Sequence, residues 1–234
     1  MCFEEIACPS CASRHLVKNG TTSNRKQKYL CRACRRQFIR DYSYQGCRPE
    51  IRSLIVPMTL NGSGVRDITR VLKVCINTVL KVLPEQASRT PEPELPLQVV
   101  DVKVDELWSF VQKKKNQRWL WYAFSPKSKQ VIGYVRGRRT DTTCQQLLDK
   151  LAPCQITRFY TDRWESYEKL IPEHRHWIGK QGTQRIERNN LTISTRLKRW
   201  QRRTICFSKS EEMDDAVIKL MSARSPSRLK AFLH

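Results

Sequence analysis

Residues 99–110 read VVDVKVDELWSF, and there Asp101, Lys103 and Asp105 alternate with Val100, Val102 and Val104. A two-residue period of polar and β-branched side chains predicts a half-buried strand. Working outward, Arg118–Phe124 (RWLWYAF) and Gln130–Arg136 (QVIGYVR) predict two more strands, joined across Ser125-Pro126-Lys127-Ser128-Lys129. A helix fits Thr142–Leu151, a fourth strand fits Ile156–Thr161 with Asp162 at its end, and a short helix fits Trp164–Leu170. Thr183–Trp200 is a long polar and basic stretch at helical spacing, with Glu187 near its start.

Three antiparallel strands, a helix, a strand and further helices give an α/β order, the ribonuclease-H-like arrangement in which the fourth strand lies beside the first. That neighbourhood brings Asp105, Asp162 and Glu187 together. Three converging carboxylates repel one another in a partly dry site unless divalent cations neutralise them. Two Mg²⁺ ions (or Mn²⁺) about 3.5–4 Å apart can activate an attacking oxygen and stabilise the leaving oxygen of a phosphodiester. Asp101 is a spare carboxylate on the same strand face and competes with Asp105 for the place of the first acid.

The 234 residues carry 44 Lys and Arg against 22 Asp and Glu, a formal charge of +22. A surface so basic selects a polyanion, with nucleic acid ahead of acidic lipid. Residues 1–98 hold 16 basic and 8 acidic residues and the remainder 28 and 14, so both halves can touch one nucleic acid. The sequence has no run of about 18 apolar residues and opens on MCFEEIACPSC, which lacks a signal-peptide core. Membrane insertion and secretion are therefore not expected, and ten cysteines point to metal or free thiols rather than a disulfide framework.

Cys8-Pro9-Ser10-Cys11 and Cys31-Arg32-Ala33-Cys34 are two CxxC pairs with zinc-ligand spacing. Each pair turns two thiolates toward one point, and four thiolates leave a zinc ion no open position, so the predicted site is structural. Between them, Asn19-Gly20 reads as the turn and Gln27–Leu30 as a strand of a β-ribbon. Cysteines 2, 47, 75, 144, 154 and 206 have no ligand spacing, and His174 and His176 read as structural.

From Glu50 to Leu83 the apolar residues take helical spacing: Val65, Ile68, Val71 and Leu72, then Val79, Val82 and Leu83, with Val74-Cys75-Ile76 as the turn. This pattern fits a helix-turn-helix, or else a plain helical hairpin. In the first reading Asn77 and Lys81 face base edges in the major groove, while Arg66 and Arg70 face phosphates. Pro57 should kink or divide the preceding helix. Four prolines within Pro84–Pro96 predict an extended linker. The expected organisation is a zinc ribbon at 1–45, a helix-turn-helix region at 46–83, a linker at 84–98 and a catalytic domain at 99–234. Two basic tracts offer backbone contacts to DNA: Arg136-Gly137-Arg138-Arg139, and Lys198, Arg199, Arg202 and Arg203 with Trp200 as a stacking group.

CPSC and CRAC, NTVLKVL (77–83), DELW (105–108), QRWLWYAF (117–124), TDRW (161–164), TQRIERNNL (183–191) and FSKSEEMDDAVI (207–218) together resemble the transposases of the bacterial insertion sequence 1 family. The resemblance keeps the same order from about residue 6 to 220. It implies a DDE recombinase with a zinc-ribbon and helix-turn-helix front end, its triad mapping onto Asp105, Asp162 and Glu187. By that likeness the protein binds double-stranded DNA at the terminal repeats of a mobile element and cuts the ends. It then joins the 3′-hydroxyls to target DNA with Mg²⁺ or Mn²⁺. It is expected as a homo-oligomer on DNA in a prokaryotic cytoplasm, associated with the nucleoid. A catalytically dead DNA-binding regulator and a ribonuclease-H-like nuclease without strand transfer are the alternatives.

Overall fold

The computed structural model describes residues 6–179, 188, 190–201 and 205–223. The chain divides into two compact units, Met1–Arg48 and Pro49–His234. The first is a three-stranded antiparallel ribbon of β1 (Leu16–Thr21), β2 (Gln27–Cys31) and β3 (Gln37–Ile39). Its core is small: Cys8, Cys31 and Phe38 are buried, and Tyr29 stacks on Phe38. The β1–β2 turn lies at Thr22–Lys26, not at Asn19-Gly20; the Thr22 N–H donates to the Lys26 carbonyl at 2.8 Å, and Arg25 takes the positive φ. Gly20 uses its positive φ inside β1, where the register slips between Lys18 and Thr21. An Asn-Gly pair serves a bulge as well as a turn, because both need a left-handed residue.

The second unit is built on a five-stranded mixed sheet of β4 (Gln98–Phe110), β5 (Gln117–Ser125), β6 (Gln130–Gly137), β7 (Gln155–Thr161) and β8 (His176–Ile178), in the order β6-β5-β4-β7-β8. The first three strands pair antiparallel, and β7 lies parallel to β4, so the fourth strand of the sheet is beside the first as expected. Val102 and Val104 of β4 are buried as the alternation predicts, but Lys103 between them is buried too, and at the strand's start Val99 is buried and Val100 is exposed. Helices α5 (Asp141–Leu151) and α6 (Glu165–Leu170) fit their predicted positions. Leu147, Leu151 and Tyr167 of these helices pack on Val102, Val104, Trp121, Ala123 and Ile132, one face of the sheet.

The opposite face carries Leu120, Tyr122 and Phe124. Against it pack the short helices α1 (Pro49–Ser53) and α2 (Ile55–Leu60), the pair α3 (Val65–Leu72) and α4 (Ile76–Arg89), helical residues 190–196 (α7) and α8 (Glu211–Ser222). Pro57 sits in the first turn of α2, where its missing N–H costs nothing, and the helical stretch is divided before it as predicted. The region 49–83 thus shares a hydrophobic core with the sheet.

The proline-rich stretch is not extended from Pro84, because α4 runs through that residue to Arg89. A proline inside a helix costs about 3 kcal/mol, whereas burying Val79, Val82 and Leu83 gains about 1.5–3 kcal/mol each. The predicted helix over Thr183–Trp200 also stops short: Leu197 leaves it, and Lys198–Trp200 form a 3₁₀ turn. That turn carries Arg199 and Trp200 into the interior, at 8% and 3% exposure. Val71, read as part of an apolar face, is exposed.

Candidate active site and metal centre

Parallel pairing of β4 with β7 sets Asp101 against Arg158 and Lys103 against Tyr160. Continuing that register by two residues brings Asp105 beside Asp162, just past the end of β7. Asp105 Oδ1 accepts from the Glu106 amide at 2.7 Å, and its Oδ2 accepts from Asn190 Nδ2 at 2.6 Å. Asn190 Oδ1 in turn accepts from the hydroxyl of buried Tyr122 at 2.5 Å. Burial, with the charges of Glu106 and Asp162, pushes the Asp105 carboxyl up to about 7 against these hydrogen bonds. Burial also raises Asp162, and the Arg139 guanidinium opposes that shift.

Glu106 is an interior acid. Its Oε2 accepts from the Tyr167 hydroxyl at 2.7 Å, and its Oε1 takes Arg139 at 2.6 and 2.8 Å. Burial raises its carboxyl above the usual range. Arg139 is held over the rings of Trp164 and Trp119, at 4.8 and 5.3 Å. This arginine therefore serves Glu106 and Asp162 together. Asp101 takes no part in the cluster, since Arg158 Nε holds its Oδ1 at 2.7 Å.

Asp105 and Asp162 are thus brought together as the sequence predicts. Glu187 lies outside the described residues. Asn190, Tyr122 and Glu106 have no assigned role in the sequence reading, which gives Arg139 only a contact to the DNA backbone. A signal existed for Asn190: it follows Glu187 by three residues on a predicted helix, which puts both on one face. The donor set fits a hard divalent cation, because each Asp105 oxygen has a lone pair beyond the hydrogen bond it accepts, and ionisation there lacks a full counter-charge.

The ribbon holds a second cluster. The sulfurs of Cys8, Cys11, Cys31 and Cys34 all lie within 4.8 Å of one another, with Cys8–Cys34 and Cys11–Cys31 each at 3.6 Å. Tetrahedral zinc with bonds of about 2.3 Å requires sulfur separations of about 3.8 Å, so the four thiols fit a structural zinc site. The Cys34 backbone amide is the main influence holding the Cys31 thiol down to about 6. Cys8→Ser or Cys34→Ser is expected to lose near-stoichiometric zinc and to unfold the ribbon up to about residue 40, leaving Pro49–His234 folded. Metal analysis with limited proteolysis reads both, and full zinc retention in both variants overturns the assignment.

Family models for the InsA N-terminal domain, a zinc ribbon, and for the InsA C-terminal domain, a helix-turn-helix, match residues 1–35 and 42–88. The model for IS1 transposase, a DDE domain, matches residues 98–224. The chain belongs to the IS1 transposase family.

Among its relatives, the insertion element iso-IS1n protein InsB of Shigella dysenteriae is 51% identical over 116 residues, covering 50% of this chain and 88% of that protein. An insertion element IS1 protein InsB of Escherichia coli K12 is 38% identical over 138 residues, covering 59% and 82%. A solved simian T-cell lymphotropic virus intasome in complex with a PP2A regulatory subunit overlaps 74% of this chain and 65% of the matched chain, at 17% identity and a TM-score of 0.37. That overlap is too loose to carry an argument.

In this IS1-family chain, Asn77 and Lys81 are exposed one turn apart on α4, and Arg66 and Arg70 are exposed on α3. Arg70 is ion-paired with Asp67, whose carboxylate also accepts from the Gly64 amide at 2.9 Å. Arg66 and Arg70 line a groove with Ile76, Leu80, Phe207 and Met213, of about 590 Å³. The other basic tracts depart from expectation. Arg136 pairs with fully buried Asp214 and lies over the Trp200 ring, and Arg139 is held by Glu106. Arg199 is buried against Ser208, and Trp200 is a core residue rather than an exposed stacking surface. Lys198 is half-buried, and Arg202 and Arg203 lie outside the described residues. These side chains read as basic surface in sequence because their acidic partners are remote along the chain. Among the described residues no helix is long and apolar enough to cross a membrane.

Proposed function

We propose that this IS1-family transposase cuts the ends of a mobile element and joins the freed 3′-hydroxyls to target DNA, with Asp105, Asp162 and Glu187 as its acids. The observation that carries this reading is the β4–β7 register, which sets Asp105 beside Asp162 in a pocket that opposes their ionisation. The strand order and antiparallel-then-parallel pairing support a ribonuclease-H-like catalytic domain. Asp105, Asp162 and Glu187 would hold Mg²⁺ or Mn²⁺, which when bound polarises the phosphodiester and activates the attacking oxygen. The protein's own part is orientation and charge. Tyr122 and Asn190 fix the Asp105 carboxylate, and the Arg139 guanidinium opposes the rise that burial imposes on Asp162 while its own position is fixed by Glu106 and two tryptophans.

The functional division follows the expected order, ribbon at 1–45, end-recognition helices at 46–83, connection at 84–98 and chemistry at 99–234, except that α4 carries the helical region on to Arg89. Recognition of element ends is assigned to Asn77 and Lys81 at base edges and Arg66 and Arg70 at phosphates, with the chain acting as a homo-oligomer on DNA. Incubating the full chain with labelled element ends and target duplex tests the proposal. Joined products with Mg²⁺ or Mn²⁺, absent with EDTA, are expected. Ca²⁺, with longer bonds and looser geometry, should support binding better than chemistry. Nicked ends without joined products favour a nuclease, and binding without either favours a dead regulator.

A further inference from the structure

β4 does not end at the acids. It continues past the end of β7 with β5 as a two-stranded arm, closed by a turn of Val111, Gln112, Lys113, Lys114, Lys115 and Asn116. All three lysines are exposed, and none has an ion-pair partner among the described residues. Arg118, on the β5 side of the arm, takes Glu211 and Asp215 at 3.4 and 3.2 Å. Three adjacent ammonium groups repel one another, a cost that a polyanion removes.

The tip is also held in place. Val111 N–H donates to the Asn116 carbonyl at 3.1 Å, and Asn116 N–H donates to the Lys113 carbonyl at 2.9 Å. Gln112, at a φ of 63°, donates its N–H to the Ser208 carbonyl at 2.9 Å and its side-chain amide to the Lys209 carbonyl at 3.1 Å. Phe110 packs on Phe207 with centroids 5.2 Å apart. A fixed base presenting three unpaired lysines is suited to a charged surface of defined shape. Val111 lies six residue steps beyond Asp105, roughly 20 Å of antiparallel strand, or about six base pairs at 3.4 Å each. In sheets of this kind ligands sit outside the carboxyl ends of the parallel strands, which is the side on which the arm projects.

We propose that Lys113, Lys114 and Lys115 bind the phosphate backbone of duplex DNA about six base pairs from the position processed at Asp105 and Asp162. The placement rests on the reading of those acids. The β5–β6 turn offers an internal comparison: Lys127 and Lys129 are as exposed, but at the other end of the sheet.

The test measures binding of the full chain to labelled duplex ends across salt concentrations. Each lost phosphate contact lowers the slope of log K against log salt by about 0.9. On duplex extending ten or more base pairs from the scissile position, K113A/K114A/K115A should flatten that slope by about 2–3. Between 50 and 200 mM salt the native affinity should then fall about 40-fold further than the variant's. Duplex cut back to four base pairs on each side should abolish the difference, and K127A/K129A should change the slope less. A triple Lys→Gln variant gives the same readout with longer side chains retained, and matched thermal melts verify folding. An unchanged slope overturns the proposal, as does a difference that survives truncation of the duplex. A hairpin-dependent slope alongside normal cleavage by Asp105→Asn supports the contact and overturns the acid-site reading instead.

Discussion

Asp105→Asn and Asp162→Asn are each expected to lose end cleavage and joining together, by on the order of a thousandfold or more, because in the proposed mechanism one metal centre serves both steps. Glu187→Gln should do the same, and a normal rate in that variant means the third acid lies elsewhere. Binding to DNA should persist or tighten, since removing a carboxylate lessens repulsion of phosphate. Asp101→Asn is the control and should retain most activity, because Asp101 is engaged by Arg158 away from the cluster. Stability supplies a second readout that needs no DNA. With its folded value near 7 and an unfolded value near 4, Asp105 opposes folding once ionised. Metal-free protein should therefore lose stability as pH rises from about 4 to 7, by up to roughly 4 kcal/mol. Asp105→Asn removes that loss, so it should match the native protein at pH 4 and exceed it at pH 8. Mn²⁺ should raise the melting temperature of the native chain more than that of Asp105→Asn. A variant that is less stable at both pH values sinks this account of the pocket.

The sheet was legible because its strands are long runs of β-branched and aromatic residues: RWLWYAF and QVIGYVR fell within one residue or so of β5 and β6. The placement of Asp105 beside Asp162 was legible for a related reason, since one lies on a strand and the other just past a strand's end. Pro84 shows where local rules stop. Its backbone penalty was read correctly and outweighed by burial on a core that sequence alone does not reveal. KRWQRR shows the complementary failure. Its basic pattern suggests solvent, yet Arg199 and Trp200 are buried near Asp214, and Arg136 reaches Asp214 from 78 residues away. Charge pairs at that separation leave no periodic trace. The Tyr122–Asn190–Asp105 chain is hidden in the same way at Tyr122, although Asn190 alone could have been reached from Glu187 by helical spacing. Asn190→Ala should accordingly lower cleavage with less effect on end binding, and Asn190→Gln should not restore it, because the longer side chain misplaces the amide.

Asp214→Ala is expected to be the most destabilising single change among the described surface-to-core ion pairs. Asp214 is fully buried, pairs with Arg136 and accepts from the Ser208 hydroxyl at 3.0 Å, and Ser208 in turn accepts from Arg199 at 3.3 Å. Burial lowers the Arg199 guanidinium below its usual value, and the charge of Asp214 works against that shift. Removing the carboxylate leaves two buried guanidinium groups without their counter-charge, a loss of about 3–5 kcal/mol. Asp215, 3.5 Å from Arg136 Nε, should hold the result near the lower figure. Asp215→Ala itself, being half-exposed, should cost under about 1 kcal/mol. With end recognition assigned to α3 and α4 as proposed, the consequence reaches DNA binding as well as folding. α8, which carries Asp214, buries Met213, Ala216, Val217, Ile218 and Leu220 in the same core as Val79, Val82 and Leu83 of α4. Loosening α8 should therefore weaken specific end binding at temperatures where the native chain is still folded. Urea unfolding of Asp214→Ala, Asp215→Ala and an Asp214→Leu/Arg136→Met double variant decides the matter. The double variant should recover only part of the loss, because apolar replacement of the buried pair is often neutral while Arg199 keeps an uncompensated charge. If Asp214→Ala unfolds at the native midpoint, the pair does not hold α8 to the sheet and the packing of α3 and α4 rests on the apolar core alone.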